Sequence, residues 1–192
     1  MASKNNRRTQ MTKLLLKTSL IDLMHNKSIN QITIKELCEN ADLNRSTFYL
    51  HYADQYALLK EIEEEIIFKT QEHLANINSE TNVNTILYVT SFLDYIKANK
   101  EIFYTLLCRQ DNISFQTMFL HIAMDRIKGI ISINCPTEYY NYVFDYVMHG
   151  NICIITEWIK SDFDLSSQKL AQLMFRLSDH SLSSFDSKKT KH

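Results

Sequence analysis

The chain of 192 residues is long enough to bury a substantial core, and its composition restricts the fold. It contains 2 Gly and 1 Pro, and 45% of its residues are hydrophobic, which excludes strand-and-turn architectures because these need many turn-forming residues. The net charge of −1 is unevenly divided: residues 1–60 carry 9 Lys/Arg and 5 Asp/Glu, or +4, and the remainder carries 12 and 17, or −5. A basic N-terminal part indicates contact with a polyanion, with chance clustering as the alternative.

The cysteines and the N-terminus indicate the compartment. Cys38, Cys108, Cys135 and Cys153 lie far apart within apolar stretches and form no C-x-x-C pair, so we interpret them as buried reduced thiols. The N-terminal MASKNNRRTQ has no apolar signal core, and no uncharged run is long enough to span a bilayer. The sequence therefore predicts a cytoplasmic protein.

The first predicted helix runs from Thr9 to about His25, after eight polar residues that we expect to be disordered. Leucine and methionine recur along it at helical spacing and form one apolar stripe. The stripe consists of Leu16, Leu20, Leu23 and Met24.

A short second helix is predicted to begin at a capping box. The Thr33 hydroxyl accepts the amide of Glu36 in such a box, and the Glu36 carboxylate reaches back to the Thr33 amide. This helix ends at Ala41-Asp42. Asn44 is then predicted to cap a third helix that extends to about Tyr52.

The fourth predicted helix, 54–76, is long, is capped by Asp54, and connects the two parts of the chain rigidly. Leu58, Leu59, Ile62 and Ile66 form its buried side, and the charge run Glu61 and Glu63–Glu65 is expected to be solvated. Further helices are predicted near 83–98, 100–109, 113–132, 137–161 and 167–182, the last one capped by Ser166.

Residues 33–52 fit a DNA-reading helix-turn-helix, in which the first helix braces the second and the second enters the major groove. Cys38 is small enough for close helix approach, Asp42 and Leu43 occupy the turn, and Phe48 anchors the second helix. The alternative from spacing alone is an ordinary helical hairpin with a solvated polar face.

The segment 8–67 resembles the N-terminal domain of the TetR/AcrR family of bacterial transcriptional regulators. The resemblance rests on TIKELC at 33–38, ADLNRSTFY at 41–49, His51-Tyr52 and Leu58-Leu59. It covers about a third of the chain at motif level. Two positions depart from the family pattern: Asp42 stands where Gly is usual, and Gln55 stands where a phosphate-contacting Lys is frequent.

The resemblance implies which residues contact DNA. Thr33 and Lys35 would contact phosphates, Arg45 and Ser46 would read bases, and Tyr49 and His51 would contact either. Two arginines ahead of the first helix would act as a basic arm, or alternatively as a solubilising tail. The full predicted set is Arg7, Arg8, Thr33, Lys35, Asn44, Arg45, Ser46, Thr47, Tyr49 and His51.

The composition and the apolar periodicity predict an all-α chain of about nine helices, and together with the resemblance they divide it into three parts. These are an arm and helix-turn-helix domain at 1–53, a ligand-binding and dimerisation domain at 54–185, and a disordered tail at 186–192. The predicted effector pocket comprises Tyr88, Phe92, Tyr95, Phe103, Phe119, His121, Tyr142, Asp145, Tyr146 and His149, with simple core packing as the alternative. A buried carboxylate there would favour a cationic ligand. The predicted dimer interface comprises Ile152, Ile155, Trp158, Ile159, Leu170, Leu173, Met174 and Leu177.

The function implied is that of a ligand-responsive repressor that binds a palindromic operator as a homodimer. Its partners would be double-stranded DNA and a small-molecule effector, and no association with a membrane is expected. An enzyme is not expected, because the chain has no Glu-x-x-His pair, no H-E-x-x-H motif and no phosphate-binding Gly loop; neither cofactor nor metal is expected. The alternative is a family-like adaptor that binds a protein partner instead of an operator.

Overall fold

The computed structural model describes residues 2–75, 82–109, 113–128 and 135–183, and within these ranges it is helical without β-strands. This confirms the predicted all-α fold of about nine helices. The α-helices are α1 Ala2–Met24, α2 Ile34–Asn40, α3 Arg45–Tyr49, α4 Gln55–Ala75, α5 Asn82–Ala98, α6 Lys100–Phe103, α7 Ile113–Lys128, α8 Tyr140–Lys160 and α9 Ser167–Ser183.

The chain divides into two compact units, residues 1–66 and residues 67–192, and α4 contributes residues to both. The predicted domain limits at 53 and 185 stay predictions. The predicted tail at 186–192 lies outside the described residues.

The core of the first unit forms where the predicted apolar stripes meet. α1 packs against α2, and α2 packs against α3. The side chains that fill this core are almost fully buried, as their helical spacing predicted. They include Leu16, Leu20, Met24, Leu37, Cys38, Ala41, Phe48, Leu58, Leu59, Ile62 and Ile66.

The start of α1 corrects the prediction of a disordered arm. The helix begins at Ala2, so Arg7 and Arg8 lie within it and are exposed on its surface. The physical reason is that residues 2–8 contain neither Gly nor Pro, and polar side chains do not by themselves end a helix. Thr12 then donates a hydrogen bond through its hydroxyl to the Arg8 carbonyl over 3.0 Å.

In the second unit, α5 packs against α9, and α8 packs against α7, α9 and a π-helical turn at Tyr104–Cys108. The predicted helix 100–109 is thus a short α6 that continues as this turn. The predicted helix 137–161 begins with a 3-10 turn at Thr137–Tyr139, and α8 follows from Tyr140. The predicted end of α7 at 132 lies outside the described residues.

All four cysteines are free thiols, but they differ in exposure. Cys38 is buried, Cys108 and Cys135 are half-buried, and Cys153 is exposed on α8. Burial is therefore confirmed for Cys38 and wrong for Cys153, because α8 buries Ile155, Trp158 and Ile159 and leaves Cys153 exposed. No helix in the described ranges is long and apolar enough to cross a membrane.

Candidate nucleic-acid interface

The start of α2 is fixed by Thr33. Its hydroxyl accepts the backbone N–H of Glu36 over 3.2 Å, which confirms the predicted cap. The Glu36 carboxylate, however, accepts a hydrogen bond from the Lys27 ammonium. A charge-assisted partner is stronger than a backbone amide, so the reciprocal half of the predicted capping box is replaced by an ion pair.

The turn after α2 is a Schellman motif centred on Asp42. The Leu43 N–H donates to the Cys38 carbonyl over 2.9 Å, and the Asp42 N–H donates to the Glu39 carbonyl over 3.3 Å. Asp42 has φ 53°, which is the left-handed conformation that the sequence predicted for the turn. The motif closes α2 and sets the direction in which α3 begins.

Phe48 attaches α3 to the core. Its side chain is fully buried, and its ring lies 5.5 Å edge-on from Tyr49 and 5.8 Å from Tyr52. Asn44 is the N-cap residue of α3, as predicted, but it caps through its carbonyl, which accepts from the Thr47 and Phe48 N–H groups, and its side chain makes no cap hydrogen bond. The helix is therefore fixed by burial of one aromatic ring, which leaves the polar side chains around it outside the core.

The predicted DNA-contacting residues are mostly on the surface. Eight are exposed, and Thr47 and His51 are half-buried. Tyr49 is 59% exposed although it neighbours the buried Phe48. The exposed members are Arg7, Arg8, Thr33, Lys35, Asn44, Arg45, Ser46 and Tyr49.

Arg45 lies close to the α2–α3 contact. Burial raises the pKa of the Cys38 thiol, and the positive charge of Arg45 acts in the opposite direction, so the two groups are within electrostatic range. Lys35 pairs with Glu39 one turn further along α2, with 3.8 Å between charged atoms and both side chains more than 60% exposed. Such a pair contributes little and breaks readily, so Lys35 remains accessible to a polyanion.

An ion-pair network joins α1 to α4 and also holds Tyr52, in the segment after α3. The sequence analysis did not predict this network. Glu61 accepts from Lys13 over 2.8 Å, lies 2.7 Å from Lys17, and accepts from the Tyr52 hydroxyl over 3.2 Å. Glu65 lies 2.5 Å from Lys17. The expectation of a solvated Glu61 is wrong, because its partners come from another helix and from the segment after α3.

The pKa values in this network follow from its charges. Burial raises the pKa of Glu61, but hydrogen bonds from Lys13 and Lys17 outweigh burial and lower it to about 2. Burial and the neighbouring Glu61 carboxylate raise the pKa of Tyr52 above its ordinary value. At neutral pH, therefore, Glu61 is a carboxylate and Tyr52 is its hydrogen-bond donor.

Two further residues beside α3 were missed by the sequence analysis. Leu50 is 80% exposed directly after α3, where an apolar side chain has no structural reason to face solvent. Tyr56 is 48% exposed, and its hydroxyl donates to the Asn30 side chain over 2.7 Å. Leu50 was missed because the sequence analysis extended α3 to Tyr52 and so placed Leu50 inside the helix. In the structure α3 ends at Tyr49, and Leu50 follows it.

Comparison with known proteins identifies the family. Residues 84–180 match the TetR-type family model described as the transcriptional regulator C-terminal region. The chain belongs to the TetR family of transcriptional regulators. The helix-turn-helix of the first unit and the helical second unit are the two parts that this assignment requires.

Solved structures share the fold of this TetR-family chain. A TetR transcriptional regulator from Streptococcus agalactiae covers 93% of this chain and 99% of its own, with 19% identity and a TM-score of 0.64. The dihydroxyacetone kinase operon activator DhaS covers 91% of this chain and 97% of its own, with 19% identity and a TM-score of 0.59.

A curated relative is the uncharacterized HTH-type transcriptional regulator YxbF of Bacillus subtilis. It is 22% identical over 176 residues, which cover 84% of this chain and 43% of the relative. The chain thus spans less than half the length of this curated relative.

The residues predicted for a TetR-type effector pocket fall into two groups. Phe92, Phe103 and Phe119 are buried and pack together with half-buried Tyr95, with ring centroids 5.6–6.5 Å apart. The remaining members are half-buried Tyr88 and the exposed His121, Tyr142, Asp145, Tyr146 and His149. The four α8 members of this second group share one exposed helix face.

The residues predicted for the dimer interface are also divided. Six of them are inward-facing or half-buried within the second unit, namely Ile152, Ile155, Trp158, Ile159, Leu170 and Met174. Leu173 and Leu177 are 40% and 49% exposed on α9. They are the two members with the most apolar surface available to another chain.

Proposed function

We propose that this TetR-family chain is a ligand-responsive regulator that binds a palindromic operator as a homodimer and represses transcription. The observation that carries the proposal is the construction of α3. Buried Phe48 fixes a short helix whose Arg45, Ser46 and Tyr49 are directed to solvent. A helix anchored on one side and polar on the other is what major-groove reading requires.

The individual contacts follow from side-chain chemistry. Arg45 presents a guanidinium suited to two hydrogen bonds with guanine, and Ser46 presents a short hydroxyl. Thr33, Lys35 and the Tyr49 hydroxyl are suited to phosphate oxygens and would fix the register without reading sequence. Leu50, exposed beside them, is suited to a thymine methyl group. Such a regulator would act in the cytoplasm, because bacterial DNA lies there.

Regulation would act through the spacing of two copies of α3. A dimer reads half-sites one helical turn apart, about 34–36 Å, so a ligand that favours another spacing lowers operator affinity. α4 has residues in both units and is the proposed connection between effector and DNA. A coupling of about 1–3 kcal/mol would change operator affinity roughly 5–150-fold.

The operator is sought by selecting DNA from a random-sequence library with the purified protein. We expect enrichment of an inverted repeat whose half-sites are one helical turn apart, and a reporter behind that repeat would show repression. DhaS is described as an operon activator, so increased reporter expression would correct the sign of regulation and leave DNA binding intact. Failure to enrich any sequence would overturn the proposal and favour the adaptor alternative.

A further inference from the structure

The helix α3 is too short to fix its own orientation. It contains five residues, Arg45–Tyr49, and an isolated helix of that length is not stable in water. It packs against α2, and the fully buried ring of Phe48 attaches it to the core. A single anchor fixes where a helix lies but permits rotation about the anchor. The direction in which Arg45 and Ser46 point therefore depends on a further contact.

Tyr52 supplies this second anchor, directly after α3. It is 5% exposed, its backbone N–H donates to the Phe48 carbonyl over 3.0 Å, and its ring lies 5.8 Å from the Phe48 ring. Its hydroxyl donates to the Glu61 carboxylate on α4 over 3.2 Å. The Lys13 ammonium on α1 lies 5.4 Å from the centre of its ring. One side chain therefore connects the end of α3 to both α1 and α4.

The acceptor of the Tyr52 hydrogen bond is itself held in place. Glu61 lies 2.8 Å from Lys13 and 2.7 Å from Lys17. Lys17 also lies 2.5 Å from Glu65. The Lys17 and Glu61 side chains are 16% and 28% exposed, so salt screens this pair less than it screens a surface pair. Because each partner in such a network limits the position of the next, the Tyr52 hydroxyl is bonded to a fixed point on α4.

Base reading by α3 requires an accurate orientation. Two hydrogen bonds from one guanidinium to guanine form only when donors and acceptors lie about 2.7–3.2 Å apart and nearly in line. Binding groups of this kind have to be held to within about 0.5 Å, which supporting hydrogen bonds achieve. Phosphate contacts tolerate more displacement, because they position the protein without reading sequence. A change in the orientation of α3 would therefore lower affinity for the operator more than affinity for DNA in general.

We propose that Tyr52 is a positioning residue whose hydroxyl, bonded to Glu61, sets the orientation of α3 for base reading. In this role it presents Arg45 and Ser46 to the bases and does not itself touch DNA. The inference rests on the proposed function of α3, and it adds a specificity determinant outside the residues predicted to contact DNA. A merely structural hydrogen bond would affect stability and leave the discrimination between DNA sequences intact.

The test is the Tyr52→Phe variant of the full chain, measured by fluorescence anisotropy on the selected operator and on random DNA of equal length. The variant keeps the ring beside Phe48 and Lys13 and loses only the hydroxyl. We expect operator binding to weaken roughly three- to tenfold, as for one lost hydrogen bond, and binding to random DNA to stay unchanged. The salt dependence should also stay unchanged, because the phosphate contacts remain.

Two further variants control the measurement. Tyr142→Phe removes the hydroxyl of a 77% exposed tyrosine on α8 and should change neither affinity. Glu61→Leu removes the acceptor, so in that background Tyr52→Phe should change the ratio of operator to random-DNA affinity by less than about twofold. Urea denaturation of each variant ensures that affinities are compared for folded protein. If Glu61→Leu is unfolded, the comparison of Tyr52→Phe with wild type decides alone.

The possible results separate this inference from the proposed function. An unchanged affinity ratio in Tyr52→Phe, with a wild type that prefers the operator, would overturn the inference and leave the proposed function intact. Equal weakening on both DNAs would show a structural role only. An equal loss of the ratio with and without Glu61 would show that the hydroxyl does not act through α4. A wild type without operator preference would overturn the proposed function and this inference together.

Discussion

At the scale of single residues, Glu61 shows where sequence reasoning is limited. A run of glutamates on a long helix is usually solvated, and spacing along the chain carries no signal for a partner on another helix. Lys13 lies 48 residues away, and Tyr52 lies nine residues away in the segment after α3. The burial of Phe48, by contrast, was predictable, because Phe48 is the most apolar residue of α3 and burying its ring removes a large apolar area from water.

Replacement of Glu61 by Gln should destabilise the first unit. The change keeps the size of the side chain but removes the charge that Lys13 and Lys17 contact, and we expect a loss of about 1–2 kcal/mol at neutral pH. Urea denaturation followed by circular dichroism measures it. Glu64→Gln is the matched control, because exposed Glu64 has a 3.8 Å pair with Lys60 and should change stability by less than about 0.5 kcal/mol.

The effect of Glu61 should depend on pH with a defined sign. Its folded-state pKa of about 2 lies below its ordinary value of 4.5, so its contribution is fully present above pH 4.5 and declines as the pH falls towards 2. The difference in unfolding free energy between wild type and Glu61→Gln should therefore shrink across that window. A difference that grows on acidification would contradict the assigned ion pairs.

At the scale of elements, local signals predicted most helix limits. Thr33, Asp54 and Ser166 each accept a backbone N–H three residues on, over 3.2, 2.8 and 3.3 Å, as their positions predicted. The π-helical turn at Tyr104–Cys108 was not predictable, because apolar periodicity does not distinguish a π turn from an α turn. The position of the cap at Asn44 was also predicted, although Asn44 serves through its backbone and not through its side chain.

Replacement of Asp42 by Gly should stabilise the helix-turn-helix. A non-glycine residue at φ 53° is strained, and a carboxylate at the C-terminus of α2 opposes the helix dipole. The gain is reduced by the larger entropy of Gly in the unfolded chain, so we expect about 0.5–1 kcal/mol. Urea denaturation measures it, with Asp42→Ala as a control that should not exceed wild type. A less stable Gly variant would show that the Asp42 side chain stabilises the turn.

At the scale of the whole molecule, composition and motif were sufficient for the fold and the family. The scarcity of Gly and Pro predicted helices, and residues 33–52 predicted the helix-turn-helix. A cleft of about 560 Å³ in the second unit could not be predicted, because its walls are brought together by packing of α8 against the π-helical turn. The interior cluster of Phe92, Phe103 and Phe119 shows the same limit, since ring composition does not distinguish a pocket wall from a packed core.

The proposed homodimer should depend on the exposed leucines of α9. Leu173 and Leu177 lie one turn apart, and burying each in an interface contributes about 1–2 kcal/mol. We expect the wild type to sediment as a dimer and the double variant Leu173→Glu/Leu177→Glu to sediment as a monomer. Leu87→Glu, on the exposed face of α5, is the control and should remain dimeric. A monomeric wild type would refute the homodimer, and a dimeric double variant would place the interface elsewhere.

The central claim is that α3 reads DNA, and fluorescence anisotropy with the selected operator tests it most directly. Tyr49→Ala should weaken operator binding roughly 5–150-fold, corresponding to about 1–3 kcal/mol, because it removes a 59% exposed contact without disturbing the core. Tyr142→Ala, which removes a 77% exposed tyrosine on α8, should leave affinity unchanged. Wild-type affinity should also fall steeply with salt. Equal affinities for wild type and Tyr49→Ala, with no salt dependence, would contradict the account.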